Sequence, residues 1–485
     1  MILLPVVLAG WAAAAAVEAP FPSDPANLSR TVSMDEMSSF LQSVDGKGAV
    51  TVSVEGKSRQ GRPLYLVRLA RPGAKPGWRL LFYAQQHGGE VAGKDAALYL
   101  IRDAARDPKT LPPDAEIYVV PSVNPDGAVA GTRESASGAD LNRDHITLEE
   151  PEVQILHRIL ARLRPHAAFD CHEFDRDGYA EKGWSVWPSI TMDNLNNPLF
   201  DPALIAIGRR WVEQAGKAVE ARGFPFYRYF VGGVPPNDEI RHSDPGVDSA
   251  INSMGMHGGL SFIIESASHR GAEGLGRRVG AYRAMFSHIL GALPGRGADL
   301  RTVEESRARV RPLTDIPTNY FWANVGWKTV EFPVLELASG KRLGIPTKNL
   351  MSELVVKKTV PAPRAYAVPA EHAAVFRAML ERQEVPFEVL ASSRSLRVEA
   401  SRLLRFEEEG DDFYGRYGGR QLVARDAPAP RTFAAGSLLV ALEGEAAARA
   451  ALLLEPTQMF GLYAYARYRA MLDRNGTCPV WRVPR

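Results

Sequence analysis

The chain has 485 residues, 45% of them hydrophobic and 24% charged. That length is roughly three domains of about 150 residues, and the composition supports a packed core, so disorder and a collagen-like repeat are excluded. Lys and Arg number 58 against 56 Asp and Glu, a formal net charge of +2 that offers no strong field to nucleic acid or an anionic membrane; two cysteines, Cys171 and Cys478, exclude a disulfide framework.

Met1 to Val17 is apolar, ends in small residues and carries no charge before Glu18. It reads as a secretory leader over residues 1–19, too short for a comfortable span, and no later stretch reaches the roughly 18 apolar residues that a spanning helix needs. The mature protein is therefore expected to be exported, periplasmic or extracellular, without stable membrane insertion once the leader is removed.

Ser33 is placed to cap a helix that opens at Met34. Strand-like runs follow at Val50 to Val54 and Leu64 to Leu69, joined by Gly56-Lys57-Ser58-Arg59-Gln60-Gly61-Arg62-Pro63. Gly-Lys-Ser hints at a phosphate loop, but position 51 is Thr where that motif needs Gly, so the segment is read as a hairpin turn.

Further strands are expected at Leu80 to Ala84, Ile117 to Val120, Ala167 to Phe169 and Leu260 to Ile264. Helices are expected over Val91 to Ala105, Glu150 to Leu163 and Ala203 to Ala221. The alternation predicts an α/β fold, a mixed, largely parallel sheet with helices on both faces, over residues 20–300. The pattern breaks near Leu293-Pro294-Gly295. Residues 310–485 read as a smaller α+β domain of unknown role, with Val330 to Leu337 as an edge strand because it contains Pro333.

Four expected strands run into polar clusters: Gln85 to Glu90, Ser122 to Gly127, Asp170 to Glu173, and Glu265-Ser266. Open α/β sheets bind ligands at the carboxyl ends of their strands, so these clusters converge on one site. His87 and Glu90 flank two glycines, and His172 supplies a third donor. Two imidazoles and a carboxylate, with a fourth place left for water, suit one catalytic Zn²⁺ ion, whereas structural zinc sites are closed by four ligands.

These residues resemble the zinc carboxypeptidase family, the carboxypeptidase A-like peptidases, over about residues 30 to 295. The matching pieces, in the family's order, are Gly56-Lys57-Ser58 with Gly61-Arg62-Pro63, His87-Gly88-Gly89-Glu90, Asn124-Pro125-Asp126-Gly127, Arg133, Asp140-Leu141-Asn142-Arg143, His172 and Glu265. The resemblance implies a zinc metallocarboxypeptidase that hydrolyses the C-terminal bond of peptides presenting a free carboxylate. It implies His87, Glu90 and His172 as ligands of one Zn²⁺, and Glu265 as general base. It assigns Arg133 to the oxyanion, Asn142 and Arg143 to the substrate carboxylate, and Asp140 to orienting the first zinc histidine. Asn124 is read as shaping the site.

The chain also departs from the family. No tyrosine lies between Asn237 and Leu260, where the family places a mobile one; Tyr227, Tyr229 and His257 are candidate substitutes, none of them favoured. The terminal-residue pocket falls among Asp244, Asp248, Ala250 and Ser253 without a readable specificity. Two rivals stay open: the same zinc site acting on cell-wall peptides or N-acyl amino acids, and a binding module that keeps the fold without turnover.

Overall fold

The computed structural model describes residues 18–75, 77–175, 178–268, 274–309, 311–407 and 420–485. The leader expected at residues 1–19 lies outside them up to Val17. Among the described residues, no helix is long and apolar enough to cross a membrane.

Helix α1 (Met34–Val44) begins with a capping box: Ser33 Oγ accepts from the Glu36 N–H and Glu36 Oε2 from the Ser33 N–H. Its buried Met37, Phe40, Leu41 and Val44 follow the i, i+3, i+4, i+7 spacing of one helical face. Next comes a hairpin of β1 (Val50–Lys57) and β2 (Pro63–Leu69), closed where Ser58 and Arg62 pair and Gly61 adopts φ +86°.

The remaining central strands are β3 (Trp78–Ala84), β4 (Ala115–Val120), β5 (Ala167–Asp175), β6 (Ile190–Asn194), β7 (Phe226–Arg228) and β8 (Leu260–Ser268). Eight strands lie in the order β1-β2-β4-β3-β5-β8-β6-β7. The middle four, β4-β3-β5-β8, are mutually parallel, while β2 on β4 and β6 on β8 run antiparallel. The fold is thus a mixed, largely parallel α/β sheet.

Strand alternation divides β3 between two layers. Leu80, Phe82 and Ala84 face a core built with helices α2 (Ala92–Arg106), α5 (Pro202–Glu220) and α6 (Leu275–Ala292). Leu81 and Tyr83 face the other way, against Val153, Leu156 and Leu160 of α4 (Pro151–Leu163). Burial on both faces is why these strands read as unbroken apolar runs. Cys171 lies in the first core, and both cysteines are free and buried.

Two details differ from the sequence reading. The break at Leu293–Gly295 is one short turn, after which helix α7 (Gly297–Ala308) resumes. The strand Val330–Glu336 is not an edge: it is flanked by Arg342–Thr347 and Trp184–Val186. Pro333 is tolerated because Trp184–Val186 pairs only with residues 334–336, so no neighbour on that side asks Pro333 for an N–H.

The C-terminal region is interleaved with the α/β unit. Besides that shared sheet, Leu350–Met351 pairs in parallel with Ile240–Arg241. Helices α8 (Ala373–Arg382) and α9 (Ala447–Leu454) pack Phe376, Leu380 and Leu453 into one core with Ile146, Leu195 and Val247.

At the carboxyl edge of the sheet, Asn124 caps the short helix α3 (Pro125–Ala130) by accepting from the Gly127 N–H at 2.8 Å. Its amide donates to the carbonyls of Gln86 (3.1 Å), Glu134 (3.1 Å) and Arg133 (3.3 Å), so one side chain joins three loops. Gly88 packs on Gly127 so closely that a Cβ there would lie 2.0 Å from the Gly127 carbonyl carbon. The hairpin turn is drawn in as well: Ser58 Oγ, the Gln60 N–H and Arg62 all reach the Asp126 carboxylate. Replacing Asn124 with Ala strands several buried backbone groups and is expected to cost about 3 kcal/mol, read as a lower urea midpoint at an unchanged slope.

Candidate metal centre

His87 follows β3 in a loop entered by a left-handed Gln85 (φ +60°), whose side chain donates to the Gly88 carbonyl at 2.9 Å. Glu90 ends that loop just before α2. His172 and Glu265 were expected beyond the ends of their strands; they lie inside β5 and β8, which run on to Asp175 and Ser268. The extension arises because the two strands hydrogen-bond each other along their whole length, in a register that pairs Glu265 with His172. Tyr282 of α6 sets its hydroxyl between the carbonyls of His172 and Ile264, bracing the two strands where the site sits.

One ligand atom each from His87, Glu90 and His172 lies within 4.8 Å of the others. The two Nδ1 atoms are 3.1 Å apart; Glu90 Oε1 is 2.7 Å from that of His87 and Oε2 is 2.8 Å from that of His172. On the far side of each ring a carboxylate holds Nε2: Asp140 Oδ1 at 3.1 Å from His87, Asp170 Oδ2 at 2.8 Å from His172. With a carboxylate to accept a proton from each Nε2, each Nδ1 can offer a lone pair inward to a cation. Lone pairs facing at this distance repel unless a cation lies between them. A tetrahedral ion with bonds of about 2.1 Å separates its ligands by about 3.4 Å, so this donor set fits Zn²⁺.

The surrounding charges favour a cation too. Burial pushes Glu90 up, but His87 and His172 outweigh it and leave the carboxylate well below its usual range. Burial likewise opposes charge on His87, yet Glu90 and Asp140 raise it. Asp140 is held low by His87, Arg143 and Arg133 against its own desolvation. Glu265 is different: burial dominates, His172 opposes only in part, Glu90 adds repulsion, and its carboxyl is pushed up to about 7.

Arg133 grips Asp140 Oδ2 through Nε (3.1 Å) and Nη2 (2.9 Å), which leaves Nη1 3.2 Å from His87 Nδ1. Asn142 Oδ1 accepts from the Ala250 N–H at 2.8 Å, turning Nδ2 toward His172. Arg143 donates to the Asn142 carbonyl, and its Nε lies 4.0 Å from the half-buried Asp248. Thus all eight singled-out residues, His87, Glu90, Arg133, Asp140, Asn142, Arg143, His172 and Glu265, stand on one edge of the sheet.

Of the stand-ins for the family's tyrosine, Tyr227 lies in the row of Thr191 and Glu265, two strands from the latter. Tyr227 packs edge-on against Phe230 and Phe332 in a small core, and His257 precedes β8, at the opposite edge. The sequence reading missed Asp170 and Gln86. Gln86 Nε2 donates to Asp170 at 2.8 Å and its Oε1 meets His145 at 2.9 Å, extending the support of His172 inward. Asp170 could have been found: two positions before His172 on a strand, it shares that residue's face. Glu173, on the other face, caps α2 through the Val91 N–H (2.8 Å) and pairs with Arg278 (2.9 Å).

A His-Glu-His cluster on the carboxyl edge of a mixed α/β sheet defines the class, an α/β protein with a candidate metal centre. Residues 37–161 match the family model described as zinc carboxypeptidase. Carboxypeptidase 2 of Trichophyton tonsurans is 29% identical over 188 residues, 37% of this chain and 35% of that one. Carboxypeptidase 2 of Trichophyton rubrum is 28% identical over 224 residues, 43% and 42% of the two chains. The chain therefore spans well under half the length of these curated relatives. Among solved structures, a metallo-carboxypeptidase from Pseudomonas aeruginosa in complex with (2-guanidinoethylmercapto)succinic acid aligns with a TM-score of 0.44 at 26% identity, covering 55% of this chain and 70% of that one.

Removing Asp170 should loosen the cage without removing a ligand. Asp170→Ala is expected to weaken zinc binding about 10- to 100-fold in competition with a chromophoric chelator, the range typical of such supporting carboxylates. Cys171→Ala, whose side chain points into the core, should leave zinc affinity as it is.

Proposed function

We propose that the chain is a zinc-dependent metallocarboxypeptidase, a hydrolase that removes the terminal residue from peptides with a free C-terminal carboxylate. The observation that carries the reading is the inward-facing His87–Glu90–His172 donor set with Glu265 paired in register beside His172. The Zn²⁺ held there would supply Lewis acidity to the scissile carbonyl and to a water.

The chain's own residues do the rest. Glu265 takes a proton from the attacking water and returns it to the leaving amine; a carboxyl pushed up toward neutrality is matched to both tasks. Arg133, steadied by Asp140, brings its positive charge to the oxyanion. Arg143 and Asn142 receive the terminal carboxylate, for which the planar guanidinium fork gives two parallel hydrogen bonds. An internal peptide bond presents no such group, so this pair makes the reaction an exopeptidase one. Peptides of the cell wall that end in a free carboxylate belong to the same substrate class. The apolar run Met1 to Val17 supports an exported setting for this activity.

Peptides with a free C-terminus should be cleaved and their amidated counterparts spared; equal turnover of both would refute the carboxylate clamp. Arg143→Met should lower kcat/KM about 10- to 100-fold, mainly through KM, the usual worth of hydrogen bonds to a charged group. Glu265→Gln should retain zinc while kcat falls about 10²- to 10⁴-fold, the range for a lost acid–base group. The pH profile follows from the same carboxyl. As a base Glu265 must be ionised, so activity is lost as pH falls through its pKa, about 7 in the bare protein. A bound dication lowers that value, so the acid limb should have its midpoint at or below pH 7 and vanish as a simple ionisation in Glu265→Gln.

A further inference from the structure

A cavity of about 590 Å³ opens on the edge of the sheet opposite the metal centre. Leu260, where β8 starts, lies beside it, and Glu265 lies five residues along the strand, about 17 Å away. Its walls are the end of α4, the turn before β8, the chain after α7 and the start of α9, so it is a seam between the α/β unit and the C-terminal region. Arg164, His257, Arg307, Arg309, Arg311 and Arg449 all line it.

The cations are unequally served. Arg164 pairs with Glu445 at 3.1 Å and Arg309 with Asp201 at 3.8 Å. Arg307 donates only to carbonyls, those of Gly258 (3.0 Å), Arg164 (2.9 Å) and Pro165. Arg449 is 8% exposed; Nη1 donates to the Gln383 carbonyl at 2.7 Å, while its buried Nε has no partner. Among the described residues, neither Arg307 nor Arg449 has a carboxylate within ion-pair distance.

Asp201, Asp315, Glu384, Glu443 and Glu445 line the same cavity, yet of all charges the arginines act most on His257 and Arg307. Burial, then Arg449, His157, Arg307 and Arg164, hold His257 far below its usual value. Burial, then Arg164 and Arg79, push Arg307 down to about 10. Helix α9 begins in the same wall, eight residues long and with no side chain capping its first N–H groups. Glu384 and Glu445 act on Arg449, and Glu304 and Glu445 on Arg307, only from beyond ion-pair distance, and a desolvated guanidinium is costly unless an anion meets it closely.

We propose that this cavity is a second ligand site that takes a small organic or inorganic anion, a carboxylate or a phosphate, on Arg449 and Arg307 at the start of α9. The same Arg449 holds Gln383, whose amide donates to the His145 (2.7 Å) and Ile146 (2.9 Å) carbonyls just beyond Asn142 and Arg143. An occupant would therefore stiffen the loop that carries the carboxylate clamp.

Titration calorimetry of the full chain with inorganic phosphate, and separately with succinate, tests the site. At least one of the two should bind saturably, and whichever binds assigns the anion class. Arg449→Met should weaken that binding tenfold or more, whereas Arg143→Met, which disables the clamp, should leave it unchanged; this separates the cavity from the proposed active site. Because Arg449 is buried, Arg311→Glu on the exposed rim serves as the second variant and should weaken binding at least threefold at low salt. No saturable binding up to about 10 mM of either probe, loss of binding in Arg143→Met, or affinity unaltered in Arg311→Glu and in a folded Arg449→Met would overturn the proposal.

Discussion

Two imidazole rings can aim their Nδ1 lone pairs at one point only when their opposite nitrogens are held, and Asp140 and Asp170 do the holding. Much of the carboxyl edge of this protein follows from that requirement. Both acids are themselves fixed, Asp140 by Arg133 and Asp170 by Gln86, and Gln86 in turn meets His145. Such a buried network stabilises only if its members are satisfied together. The cage is thus a property of four loops and strands at once.

Backbone supports it as much as charge does. His172 and Glu265 sit opposite each other because β5 and β8 are neighbouring parallel strands in one register; a slip of one residue would turn either side chain to the far face. The loops around them are joined by Asn124, and the contact of Gly88 with Gly127 leaves no room for a side chain. The motif-like hairpin Gly56 to Pro63 takes its place in this scheme through Asp126, as a brace and not as a phosphate loop.

The C-terminal region bears on the site through backbone as well. Gln383 reaches the His145 and Ile146 carbonyls, Arg382 that of Leu148, and Tyr465 that of Arg143. These contacts fall on the stretch that follows Asp140, so the later residues shape the loop on which Asn142 and Arg143 are presented. The candidate metal centre and the cavity at the opposite edge of the sheet are thereby joined through that loop.

Much of this organisation was legible in the amino-acid order. Apolar runs of strand length alternating with amphipathic helices specify an α/β sheet, because burial on both faces leaves that signature, and His87, Glu90 and His172 announce a metal by donor chemistry. Pro333 misled, since a proline is excluded from mid-sheet only where a neighbour needs its N–H, and strand Trp184–Val186 is too short to ask. Asp170 was legible only through the strand face it shares with His172, and Gln383 gave no sign, as its role depends on partners far away in the chain. The local pattern determined which segments become strands and which residues can bind a metal; the register of β5 on β8, the partners of each imidazole and the junction with the C-terminal region were decided by tertiary packing, because long-range pairing satisfies buried charges that no neighbour in sequence can reach.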